Sequence, residues 1–296
     1  MTLRILITGA LGQVGHELQR TLAPLGLLTA VDVADLDVTN TDAVCGLLRA
    51  LRPHVLVNPA AFTAVDRAET EEPLAMAVNG TAPGVMAEEM ARLGGLMVHY
   101  STDYVFGGAG QGAWREDAPA NPLSAYGRSK LAGEQAVRAA GGAHVILRTS
   151  WVYGRHGANF MRTILRLAQQ REELRVVADQ FGAPTWSRTV AAGTAQVIRH
   201  AWLDPATRTG AAQWSGVYHL TNGGVTTWHG FAQAIVELAP ELATRRQVRV
   251  LPISTGEYLL PARRPANSVL DNTRIEQVFG VRQVPWEDDL KRCLAE

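Results

Sequence analysis

The chain is short of cysteine. Cys45 and Cys293 are the only two in 296 residues, and they stand near opposite ends. Without a CxxC pair or a Cys/His cluster, neither a disulfide framework nor a structural zinc site is expected, and a reducing compartment is the default. An excess of charge of either sign is also missing. Lys plus Arg and Asp plus Glu number 28 each, so no basic field exists to draw nucleic acid or an anionic membrane. No apolar run approaches the roughly 20 residues of a membrane span. The chain enters a strand-like run at Leu3, with no signal-peptide core before it, so the expected location is the cytoplasm. Internal repeats and low-complexity tracts are missing too. What is left is an ordinary globular composition, 47% hydrophobic and 19% charged, long enough for one large or two unequal domains.

The first residues carry the strongest pattern. Leu3 to Ile7 is a nearly continuous apolar run, as a strand buried on both faces reads. Gly9, Gly12 and Gly15 follow, and Val14, Leu18 and Leu22 repeat at helical spacing. Strand, glycine turn and helix in that order predict a dinucleotide-binding turn. Gly9 and Gly12 would let the backbone approach a pyrophosphate, and the helix would offer that anion its unpaired N–H groups. Gly15 would let helix and strand pack closely. A second apolar run, Leu27 to Val31, ends at Asp32, where a carboxylate would hold the adenosine ribose hydroxyls.

The order of elements continues regularly. Asp37 to Asn40 supplies a cap for a helix through Val44, Leu47, Leu48 and Leu51, ending before Pro53. His54 to Asn58 reads as a third strand, with Pro59 to Val65 at its carboxyl end. Thr81 is expected to cap a helix carrying Val85, Met86, Met90 and Leu93, closed by Gly94-Gly95. Leu96 to Ser101 is the fourth strand, Ser124 precedes a helix reaching about Ala140, and Ala143 to Leu147 is the fifth. This βαβαβαβαβ order predicts an α/β fold, a doubly wound parallel (Rossmann) sheet over residues 1–150. After Ser150, helical stretches near Phe160–Glu172, Ser187–Trp202, Trp228–Leu238 and Trp286–Leu294 alternate with strand-like runs Leu174–Val177 and Val248–Leu251. Residues 151–296 are therefore expected to form mainly a smaller α/β substrate lobe, with some segments free to return to the first sheet.

Two features carry chemistry. Tyr126 and Lys130 stand four residues apart on a helix and so share a face. A tyrosine of ordinary pKa, about 10, is a poor proton donor at neutral pH. A nearby ammonium is expected to stabilise the phenolate, lower that pKa and make Tyr126 a general acid toward a carbonyl. Thr102, at the end of the fourth strand in Tyr100-Ser-Thr-Asp-Tyr-Val-Phe106, places a hydroxyl opposite that helix.

The glycine turn, Thr102 and the Tyr126/Lys130 pair resemble those of an extended short-chain dehydrogenase/reductase. More narrowly, the chain resembles the dTDP-4-dehydrorhamnose reductase family. The matching stretches include Gly12–Gln19, Thr63–Asp66, His99–Phe106, Tyr126–Glu134, Arg148–Tyr153, Asp179–Thr185 and Ala262–Ser268, in order along nearly the whole chain. The resemblance implies NADH- or NADPH-dependent reduction of the C4 ketone of dTDP-4-dehydro-β-L-rhamnose to dTDP-L-rhamnose. It implies that Gly12, Gln13 and Val14 wrap the pyrophosphate. Asp32, Asp37, Val38, Ala61, Phe62, Thr63 and Tyr100 would line the rest of the cofactor, with Tyr126 and Lys130 at the nicotinamide ribose. Thr102, Asp103 and Trp151 would touch the sugar nucleotide. Phe62 and Pro59 depart from the family pattern. With Asp32 present and no arginine between Val31 and Asn40 to neutralise a 2′-phosphate, NADH is modestly favoured.

Two other readings compete. One is a nucleotide-sugar epimerase or dehydratase; the dehydratases carry an acid pair after the threonine, whereas Tyr104 follows Asp103 here. The other is a non-catalytic regulatory subunit resembling the β subunit of methionine adenosyltransferase, against which the intact Tyr126/Lys130 pair argues. Some family members are homodimers holding magnesium with glutamates at the subunit contact, at positions corresponding to Glu17, Glu296 and Arg188. An arginine offers magnesium no oxygen ligand, so no metal site is expected; Arg188 could instead pair with Glu17 or Glu296, and a homodimer through this surface stays open.

Overall fold

The computed structural model describes residues 2–204, 207, 210–239 and 248–296. Five strands come in the expected order: β1 (Arg4–Ile7), β2 (Leu27–Ala30), β3 (Val55–Asn58), β4 (Leu96–Thr102) and β5 (Ala143–Thr149). After them come β6 (Val152–Tyr153), β7 (Glu173–Val177), β8 (Phe181–Gly182), β9 (Thr185–Trp186), β10 (Gly216–His219), β11 (Thr226–Thr227) and β12 (Arg249–Ile253). The central sheet is six-stranded and parallel throughout, in the order β10-β5-β4-β3-β1-β2. β2 lies on one side of β1 and β3 on the other. The chain therefore switches direction there, and a crevice opens at the carboxyl ends of β1 and β3.

Alternation along each strand builds the layers. Ile5, Ile7, Val55, Val57, Val98, Val145 and Leu147 face one side, and Leu6, Leu56, Met97 and Ile146 the other. The first side is covered by helix Gln13–Leu22 through Leu18 and Leu22, and by helix Ser187–Ile198 through Val190, Ala191 and Val197. The second is covered by Thr41–Leu51 through Val44 and Leu48, and by Ala82–Leu93 through Met86 and Met90. Two covered faces are what near-continuous apolar strands require.

The chain beyond Ser150 serves both halves. Helix Ser187–Ile198, β10 and helix Thr273–Phe279 join the first core, while Tyr153, Met161, Ile164, Phe231, Ile235, Trp286 and Leu290 make a second. Helices Phe160–Ala168, Trp228–Leu238 and Trp286–Ala295 frame that second core beside the parallel pair β7–β12.

Caps explain most of the boundaries. Asn40 Oδ1 accepts the Ala43 N–H at 3.1 Å, Ser124 Oγ accepts that of Gly127 at 3.1 Å, and Gly94 turns left-handed at φ +66°. Thr81 departs from expectation. Its backbone is helical and its side chain caps nothing; it ends a π-turn, Ala77–Thr81, that joins Glu72–Met76 to Ala82–Leu93. Pro83 has no N–H for the carbonyl four residues back, so the helix passes it in a wider turn rather than starting afresh. Among the described residues, no helix is long and apolar enough to cross a membrane.

Candidate active site

The crevice is a cleft of about 840 Å³, and every site residue expected from the sequence lines it. The glycine turn forms its floor. Gly9 has φ +56°, and a Cβ there would stand 2.7 Å from Ala60 Cα at the end of β3. At Gly15 a Cβ would come within 2.9 Å of Ala10 Cα, so only a glycine lets the helix start against the strand. Gly12 begins helix Gln13–Leu22 with no side-chain cap, leaving first-turn N–H groups open to an anion. A cradle without side chains and an uncapped helix end fit a dinucleotide pyrophosphate. Asp32 sits at the mouth, its carboxylate accepting the N–H of Leu11 at 2.7 Å and of Val33 at 2.8 Å. Asp37 and Val38 lie beyond it, and Asp37 is held below the usual carboxylate range by hydrogen bonds from Thr39.

On the other wall, Ala61, Phe62 and Thr63 run along the cleft. Phe62 is pinned by a residue that sequence reasoning missed. The buried Asn79, on the π-turn, accepts the Phe62 N–H at 2.8 Å and donates to its carbonyl at 2.9 Å and to Ser129 Oγ at 3.0 Å. It thus ties this wall to the Tyr126 helix. Tyr100 lines the cleft, but its side chain belongs to the first core, where its hydroxyl meets that of the buried Thr194 at 2.6 Å.

The reacting group comes together at the end of β4. Ser124 starts helix Ala125–Ala139, which carries Tyr126 and Lys130 one turn apart. Thr102 donates to Asp103 Oδ1 at 2.9 Å and accepts the Tyr104 N–H at 3.2 Å. The Tyr104 ring meets that of Tyr126 edge-on at 5.6 Å. The expected lowering of Tyr126 does not occur. Burial pushes its phenol up to about 12, with a hydrogen bond between it and the Thr102 hydroxyl opposing. Burial likewise pulls Lys130 down to about 8, with Glu134 opposing. A buried phenolate loses hydration, and the charge of Lys130 is partly met by Glu134. Glu134 is in turn fixed by Arg148, at 2.8 and 2.6 Å, and by Ser101 at 2.5 Å. Asp103 is pushed up to about 6 by burial, against hydrogen bonds from Ser268 and Thr102.

The chain beyond β5 supplies most of the remaining wall. Trp151, Asn159 and Trp228 line it, together with Thr149, whose buried Oγ1 has no hydrogen-bond partner. Asn159 Nδ2 donates to Gln13 Oε1 at 2.9 Å, and His156 Nε2 lies 2.8 Å from the Leu11 carbonyl, tying this segment to the glycine turn. Arg264 is a contact rather than a solvated charge: it pairs with Asp66 at 2.9 and 3.1 Å, joining two of the matched stretches. At the far side of the first helix, Arg188 pairs with Glu17 at 3.1 Å and also with Glu296, its guanidinium lying 4.6 Å from the Trp186 ring. Both carboxylates already face a fixed cation that can ligate nothing, so these residues do not fit a magnesium ion.

The model of the family described as the RmlD substrate binding domain matches residues 3–296. A dTDP-4-dehydrorhamnose reductase of Burkholderia thailandensis is 46% identical over 297 residues, covering 99% of each chain. A solved dTDP-4-dehydrorhamnose reductase of Clostridium acetobutylicum superposes with a TM-score of 0.90 at 37% identity, covering 99% of both chains. That of Bacillus anthracis, solved in complex with NADP, gives 0.89 at 36% identity, covering 100% of this chain and 99% of its own. With a full-length family match and relatives this similar over their whole length, the chain belongs to the dTDP-4-dehydrorhamnose reductase family.

Proposed function

We propose that this protein reduces the C4 ketone of dTDP-4-dehydro-β-L-rhamnose to dTDP-L-rhamnose with NADH or NADPH. One observation carries the reading: the glycine turn, with its open helix end, shares a cleft with Thr102, Tyr126 and Lys130. The names of the similar reductases, one solved with NADP, support it.

When bound, the reduced nicotinamide supplies the hydride. The chain supplies the rest. Gly12, Gln13 and Val14 would hold the pyrophosphate, and Asp32, fixed by two backbone N–H groups, would offer its remaining lone pairs to ribose hydroxyls. Tyr126 gives its phenolic proton to the ketone oxygen as negative charge develops there, and Thr102 holds that oxygen in place. With its phenol near 12, Tyr126 is protonated at neutral pH, the form in which a donor must wait, and the proton leaves only as charge develops on the ketone oxygen. The Lys130 ammonium then faces the phenolate that is left. Trp151 and Asp103 bound the sugar. Consumption of NADH or NADPH on adding the purified 4-keto sugar nucleotide, with dTDP-L-rhamnose as product, tests the reading. Copurification with a synthetase-like partner and no turnover would favour a regulatory subunit instead.

A further inference from the structure

Among the described residues only Arg52 and Trp151 combine a side chain with positive φ. Arg52 ends a helix, where this is common. Trp151, at φ +48°, stands on the wall of the cleft. An L-residue adopts that conformation only where its surroundings hold it there. The surroundings are visible. The Trp151 indole lies flat on that of Trp228, centroids 3.6 Å apart and planes at 11°. Gly182 leaves its edge free, since a Cβ there would stand 2.6 Å from Trp151 Cε2. Trp228 rests in turn on Phe160 at 4.6 Å, and Phe160 on the buried Phe231 at 5.6 Å. The chain places Trp228 by its local structure. β11 pairs antiparallel with β8, setting Thr226 opposite Gly182 and Thr227 opposite Phe181. Thr227 then caps the next helix by accepting the Gly230 N–H at 3.0 Å, which makes Trp228 its first residue.

We infer that Trp228 is a positioning residue for the sugar. It holds Trp151 in its left-handed conformation, so that the indole presents a flat apolar wall to the C–H face of the hexose ring and keeps the C4 ketone in register with Tyr126. The inference rests on the reading of Trp151 as a wall of the sugar site; the role of Trp228 is the addition. A ring stack anchored through Phe160 to the second core gives this wall a rigidity that one exposed indole on a loop lacks.

The full chain tests it through Trp228→Ala, Trp228→Leu and Trp228→Phe. Two indoles stacked this closely couple their transitions, so the wild type should show an exciton couplet in circular dichroism. Trp151→Phe and every Trp228 variant should lose it. Trp228→Ala and Trp228→Leu should raise KM for the 4-keto sugar nucleotide about tenfold, with the cofactor KM unchanged, and Trp228→Phe should recover most of the loss. Calorimetric binding of dTDP-L-rhamnose, weakened in the same order, decides the point even if the wild type turns nothing over, an outcome that would overturn only the proposed reaction. Trp228→Leu with unchanged sugar affinity, or with sugar and cofactor affinity falling together, would overturn the role of Trp228.

Discussion

Lys130 is buried and Tyr126 half-buried on the cleft wall, and loss of hydration moves their pKa values apart, Tyr126 up to about 12 and Lys130 down to about 8. The consequence is a pH dependence. The Lys130 value lies below the ordinary lysine range, so the ammonium is present below about 8 and lost above it. Turnover per unit of sugar nucleotide, kcat/KM, should be level near neutrality and fall as pH rises through about 8. In Lys130→Arg the fall should move upward, since a guanidinium stays charged to pH ~12. A wild-type profile level up to pH ~10, the ordinary lysine value, would show that this charge is not needed. Tyr126→Phe should lower kcat about 10²- to 10⁴-fold with cofactor binding kept; near wild-type turnover, with chemistry rate-limiting, would remove Tyr126 as donor. At Asp32 the carboxylate would repel a 2′-phosphate, so a modest NADH preference is expected that weakens in Asp32→Ala. Competition kinetics with both cofactors would measure it, and a strong NADPH preference in the wild type would place the selectivity elsewhere.

Between elements, the Arg188 contacts decide a second question. Helix Gln13–Leu22, helix Ser187–Ile198 and the C-terminus are joined by one guanidinium shared between Glu17 and Glu296. EDTA is therefore expected to change neither activity nor assembly state. Chelation that abolished activity or split an oligomer, reversed by magnesium, would contradict it. Contacts of this kind also mark what a sequence can and cannot disclose. The glycine turn, the strand ends and the Tyr126–Lys130 pair are set by spacing within one turn or strand, so their place on the cleft was legible. Trp228 read only as the start of a helix, because its stacking on Trp151 depends on the β8–β11 pairing. Asn79 and Thr149 carry no periodic signal; Asn79 matters because a π-turn aims it at Phe62 and Ser129, far away in sequence. The Tyr126 shift runs opposite to expectation for a related reason: spacing shows a neighbouring charge but not the loss of water around it.

In the whole molecule, the first sheet is finished by the second half of the chain. Four-residue β10 pairs with β5, and Val190, Val197 and Phe279 close one side of the core. A strand so short, between irregular segments, gave no pattern of its own, so the return was expected only in general terms. A fragment of residues 1–150 would expose that face. It should fail to show a cooperative thermal transition and should bind hydrophobic dyes, whereas an independently folding fragment would show the halves to be separable. In the proposed reaction the cofactor bound in this cleft delivers a hydride to a sugar ketone and Tyr126 delivers the proton. It is tested most directly by turnover of dTDP-4-dehydro-β-L-rhamnose with cofactor deuterated at the transferable position of the nicotinamide. The expected product is dTDP-L-rhamnose with deuterium at C4, formed by the wild type and far more slowly by Tyr126→Phe. Product without deuterium at C4, or no product from a well-folded wild type supplied with either cofactor, would contradict it.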